Sequence, residues 1–119
     1  MNHEGADDHE GHELRTSRQY QMRLASYQRA MCLELEAAGL SYESERPVHV
    51  RYRNVEITGR RVDLIVEKQI VVELKSVTRL DDVHRAQLIS YLRTTGLRGG
   101  LLINFRVPVL QRGLQRIVL

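Results

Sequence analysis

The chain has 119 residues, enough for one domain with its own core, and 42% of them are hydrophobic. A lone cysteine, Cys32, excludes an internal disulfide and favours a cytoplasmic protein. No apolar run approaches the length of a bilayer-spanning helix, and the acidic N-terminus does not read as a signal peptide. The net charge of +3 hides an asymmetry: five of the 15 acids fall within residues 1–13, so the remaining 18 basic and 10 acidic residues give the body +8. Arginines number sixteen and lysines two. Guanidinium is the better bidentate partner for phosphate, so the balance points to a polyanion, although a basic surface also serves solubility alone.

Residues 1–15 read as a disordered acidic tail bearing His3, His9 and His12, and residues 16–119 as a single domain. From Ser17 to Ala38 a helix is expected, because Tyr20, Leu24, Tyr27, Met31 and Leu35 recur at helical steps; Gly39 is its stop. "LSYESERPVHVRYRN" alternates Val48, Val50 and Tyr52 with polar residues and reads as a half-buried strand, with Asn54 near its turn. "VEITGRRVDLIVE" and "QIVVELKSV" are two more strands around a tight turn at Glu67-Lys68-Gln69. A second helix follows in "LDDVHRAQLISYLRTTG", capped by Asp81 or Asp82 and stopped by Gly96. "GGLLINF" is a buried strand, and a basic hairpin-like segment ends the chain after Pro108.

The β-rich hairpin contains three charges that a sheet does not need. Strand alternation puts Val62, Leu64 and Val66 on one face, with Asp63 and Ile65 on the other. On the second strand Val71, Glu73 and Lys75 share a face. A turn centred near Lys68 pairs residues whose numbers sum to about 136, which sets Asp63 opposite Glu73, with Lys75 two residues along on the same face. Two adjacent carboxylates raise each other's pKa, and a divalent cation between them removes the repulsion. The pattern by itself also fits an ion-paired sheet face in which Lys75 bridges both acids. Gln87 and Tyr91, four apart on the second helix with His84 one turn earlier, are placed to orient a metal-bound water or grip a phosphate, or form an ordinary polar face.

The ordered segments "RVDLIV", "VVELKSV", "HRAQLISYL", "TGLRGGLLINF" and "VPVLQRGLQRIVL" resemble the GxxExxR family of the PD-(D/E)XK nuclease-like superfamily, from about Leu24 to Leu119. The resemblance implies an α/β (α+β) fold, a restriction-endonuclease-like αβββαβ core with a mixed sheet flanked by helices. It implies Asp63 and Glu73 as metal-binding acids, the Leu74 carbonyl as a further ligand, and Lys75 as the charge-stabilising lysine. Gln87 and Tyr91 match the Q-x-x-x-Y helix motif of the recombination-exonuclease branch. Arg61, two residues before Asp63, is a phosphate contact by geometry rather than by motif. The expected function is Mg²⁺- or Mn²⁺-dependent hydrolysis of nucleic acid, DNA in the first instance, and the "VEIT" strand or first helix offers a surface for a homodimer. One position departs from the family: Leu24 stands in "RLASYQRAM" where a helix-one glutamate is expected, so a module that binds nucleic acid or a protein partner without turnover is the alternative.

Overall fold

The computed structural model describes the backbone of residues 9–119 and the side chains of residues 23–50, 53–56 and 59–119. The elements are α1 (His9–Ala37), β1 (Tyr42–Tyr52), β2 (Val55–Val66), β3 (Ile70–Lys75), α2 (Asp82–Thr95), β4 (Gly99–Asn104) and, after a 3₁₀ turn at Leu110–Gly113, β5 (Leu114–Val118). Helix α1 begins at His9 rather than near Ser17. The first part of the expected tail, with His3, lies outside the described residues, as do the side chains of His9, His12, Tyr20 and Tyr52.

Local chemistry sets the boundaries. Helix α1 ends in a Schellman motif: Leu40 N–H donates to Leu35 O at 2.9 Å, Gly39 N–H donates to Glu36 O at 3.0 Å, and Gly39 sits at φ 77. The β1–β2 turn uses Arg53 and Asn54, and the β2–β3 turn Glu67 and Lys68, all with φ between 51 and 62. Two consecutive positive-φ residues match the right-handed twist of a hairpin. Asp81 caps α2 in a reciprocal box: its carboxylate accepts from Val83 and His84 N–H, and its own N–H donates to His84 Nδ1 at 3.1 Å. His84 is thus half-occupied as a cap. Gly96, at φ 76, ends the helix.

The sheet runs in the order β1-β2-β3-β4-β5. Its neighbours are antiparallel except β3 and β4, which are parallel because α2 crosses between them. On one face Val48, Val62, Ile65, Val71 and Leu102 pack against Leu88, Tyr91 and Leu92 of α2. On the other, Leu64, Val72, Leu74 and Ile103 pack with Cys32, beside Leu24, Met31 and Leu35 of α1. Leu64, Leu88, Leu92 and Leu102 are fully buried, and each contributes roughly 1.5–3 kcal/mol by leaving water. No helix among the described residues is long and apolar enough to cross a membrane.

Strict alternation along β2 fails beside Asp63. Val62 packs with Ile65 on the α2 face rather than with Leu64. The β1–β2 register is continuous through Ser44↔Leu64 and Arg46↔Val62 but skips the intervening Glu45 and Asp63, and Glu45 has φ 54. The pair of strands is kinked there, so Val62, and with it Arg61 and Arg60, lies on the opposite face from the one simple alternation gives it.

Candidate active site

The β2–β3 turn is held by Gln69 N–H donating to Val66 O at 2.9 Å, and Glu67 is anchored by Ser41, whose N–H and hydroxyl both reach its Oε2. The register that follows is Val66↔Ile70, Ile65↔Val71 and Leu64↔Val72, the expected sum of 136. Beyond it side chains take over from the ladder. Asp63 N–H donates to Glu73 Oε2 at 2.9 Å, and Leu74 N–H donates to Asp63 Oδ2 at 2.7 Å. The two acids therefore meet across the hairpin, each fixed by the other strand's main chain.

Their electrostatics follow from that placement. Glu73 is only 3% exposed, and burial first, then the charge of Asp63, pushes its carboxyl up to about 7. The Asp63 N–H and Lys75 pull it back without reversing it. Asp63 is also raised, chiefly by burial and further by Glu45, against the lowering effect of the Leu74 N–H and Lys75. Glu45 is a third acid that sequence reading missed. Gln28 of α1 ties this corner together, its Nε2 reaching Glu45 Oε2 at 3.1 Å and the Asp63 carbonyl at 3.5 Å.

Lys75 continues the site toward α2. Its Nζ donates to Gln87 Oε1 at 2.7 Å and lies 3.9 Å from Glu73 Oε1. Gln87 Nε2 in turn donates to the Tyr91 hydroxyl at 3.2 Å. Burial, then the charge of Glu73, raises the Tyr91 pKa, while the charge of Arg60, and then hydrogen bonding with Arg60 and Gln87, lowers it. An open cavity of about 460 Å³ lies here, lined by Arg60, Lys75, His84, Gln87, Ser90 and Tyr91 among others. Arg61, expected on this face, is instead exposed and donates to the Glu45 carbonyl at 3.4 Å. The kink at Asp63 makes the exchange: Arg60, paired with Val48, takes the α2 face.

Asp63, Glu73, Lys75, Gln87 and Tyr91 thus form one connected cluster. Its donor set suits a hard divalent cation: two carboxylates, each with one oxygen on a main-chain N–H and a pKa raised chiefly by burial. Among the described residues no group of three His, Cys, Asp or Glu side chains could hold a metal ion, so an ion at this pair would need main-chain oxygen or water as well. Leu24 is no ligand; it is half-buried against the α1-side core.

No curated protein and no solved structure matches the chain significantly. A family model for the PD-(D/E)XK nuclease superfamily matches residues 17–117. The mixed five-stranded sheet between two helices is consistent with the restriction-endonuclease-like fold of that group. With the match spanning α1 to β5 and the acid pair and lysine joined at the β2–β3 hairpin, the chain belongs to the PD-(D/E)XK nuclease superfamily.

Proposed function

We propose that the chain is a metal-dependent nuclease that hydrolyses phosphodiester bonds in DNA, using Mg²⁺ or Mn²⁺. Superfamily members generally use divalent metal ions, and the family implies a nucleic-acid substrate. The narrower placement in the GxxExxR family rests on the ordered segments from "RVDLIV" to "VPVLQRGLQRIVL". The observation that carries the reading is the mutual bracing of Asp63 and Glu73, with Lys75 beside Glu73 and bonded to Gln87.

Asp63, Glu73 and the Leu74 carbonyl would hold the ion. When bound, such an ion activates a water and neutralises charge developing on phosphoryl oxygens. Lys75 keeps its ammonium at the edge of the acid pair, where it offsets negative charge on the reacting phosphate, and Gln87 fixes where that ammonium sits. Tyr91 orients Gln87, and Arg60 and Arg61 supply guanidinium to backbone phosphates without reading sequence.

One observation favours a second reading. Leu24 serves the core where the family carries an acid, which suits a fold that binds nucleic acid or a protein partner without turnover. Nicking of supercoiled plasmid with Mg²⁺ or Mn²⁺ separates the two, comparing the wild type with Asp63→Ala and Lys75→Ala. The nuclease reading expects activity lost in both variants. Equal activity in all three proteins overturns it, and salt-dependent DNA binding with no cleavage leaves the binding module.

A further inference from the structure

On the α1 side of the sheet, a second cavity of about 300 Å³ is lined by Arg23, Tyr27, Ser76, Phe105 and Arg106, with Val107 and Pro108 closing it. The Tyr27 and Phe105 rings are stacked, with centroids 4.4 Å apart and planes 13° from parallel. Tyr27 stays 39% exposed although Leu24, Met31 and Leu35 on the same helix are drawn into the core. Two arginines, Arg23 and Arg106, flank the pair, and Arg106 Nη1 also donates to the Thr78 hydroxyl at 3.3 Å.

Both walls of this cavity adjoin the acid pair. Ser76 directly follows Lys75, and Phe105 N–H donates to the Lys75 carbonyl at 2.9 Å. Gln28, next to Tyr27, reaches the Asp63 carbonyl. These contacts tie the cavity's walls to the main chain of the two strands that carry the acids, on the side of the sheet away from Gln87 and Tyr91.

We infer that the Tyr27–Phe105 cavity seats an unpaired nucleotide of a single strand, its base against the aromatic pair and its phosphate toward Arg23 and Arg106. Aromatic faces bind any base, but only one that has left its own stack, so a duplex nucleotide does not satisfy them. Flanking guanidinium groups complement the phosphate and stack on π-faces as well. The volume falls at the small end of ligand pockets, suited to one residue of a strand rather than to a helix. The inference deepens the nuclease reading, and rests on it only for the strand's continuation to the acids.

The test is fluorescence anisotropy in EDTA, so that no turnover enters. The probes are labelled oligodeoxythymidylate, oligouridylate, and an abasic deoxyribose-phosphate strand of equal length and charge. The wild type is expected to bind the base-bearing strand of at least one sugar type roughly tenfold more tightly than the abasic strand. Tyr27→Leu and Phe105→Leu, which keep apolar bulk, are expected to lose that preference while holding abasic affinity. A wild type that binds base-bearing and abasic strands equally overturns the inference without recourse to any variant, as does a preference that survives in both folded variants. Base preference without plasmid nicking sinks the nuclease reading alone; nicking without base preference sinks this inference alone.

Discussion

Asp63 and Glu73 each hold the main chain of the other's strand, through the 2.9 Å bond from Asp63 N–H to Glu73 Oε2 and the 2.7 Å bond from Leu74 N–H to Asp63 Oδ2. Two groups that repel when ionised are thereby prevented from turning apart. In the folded state both carboxyl pKa values persist above their ordinary range, through burial first and, for Glu73, through the charge of Asp63 next.

That persistence gives the metal-free protein a pH dependence of known sign. Glu73 rises from 4.5 to about 7 on folding, so the folded state keeps a proton that the unfolded chain gives up between those values. Stability from this group is full below pH 4.5 and is lost as pH rises through about 7, a change on the order of 3 kcal/mol. Asp63 acts in the same direction. Chemical denaturation in EDTA should find Glu73→Gln close to wild type below pH 4.5 and more stable above pH 7. Parallel pH profiles for the two proteins contradict the assignment.

Gln87 is predicted to act through Lys75. Gln87→Leu removes the 2.7 Å acceptor of Lys75 Nζ and the donor to Tyr91 while leaving the helix face filled. Plasmid nicking should fall roughly 10- to 100-fold with the fold retained. A Gln87→Glu variant, which keeps an acceptor for Lys75, should recover part of the loss; no difference between the two variants contradicts the positioning role.

The kink at Asp63 makes neighbouring arginines unequal. Arg60 lines the cavity with Lys75, Gln87 and Tyr91, whereas Arg61 reaches back to the Glu45 carbonyl. Arg60→Ala should raise the DNA concentration needed for half-maximal nicking by roughly tenfold, the scale of one hydrogen bond to a charged group. Arg61→Ala should change it less. The reverse ranking would restore the simple alternation.

Gly113 is predicted to tolerate no side chain. A Cβ there would lie 2.1 Å from the Asn104 carbonyl oxygen, a main-chain atom. Asn104 is itself a brace: its Oδ1 accepts from Val77 N–H at 3.0 Å and from Arg106 N–H at 3.2 Å, and its Nδ2 donates to Val77 O at 2.9 Å. At Gly100 the obstacle is the buried Leu88 side chain, at 2.9 Å, a side chain rather than a main-chain atom. Thermal melts should show Gly113→Ala losing about 1–3 kcal/mol or more, and Gly100→Ala less.

Where the sequence is explicit, the chemistry is local. Gly39 and Gly96 stop helices by reaching positive φ, Asp81 caps α2, and the turn at Glu67-Lys68 fixes the register that brings Asp63 to Glu73. Glu45 and Arg60 were not legible in that way, because their places depend on how β1 pairs with β2, and Gln28 was not because its place depends on how α1 lies against that pair. Between Val48↔Arg60 and Val50↔Ile57, β2 carries one extra residue, with Gly59 at φ 82. A lone glycine inside a strand pattern is the signal of such a bulge. The kink at Glu45 and Asp63 has no glycine to announce it, and it exchanges Arg61 for Arg60.

Nine residue pairs stitch β1 to β2, but three stitch β2 to β3. The long ribbon is therefore an arm mounted on a short seam, and the last fasteners of that seam are carboxylates rather than ladder bonds. Amide hydrogens along the outer arm should exchange with solvent sooner than those of β3 and β4. Occupying the acid pair with a cation would rivet the seam, so the ion would stiffen the arm as well as serve the chemistry.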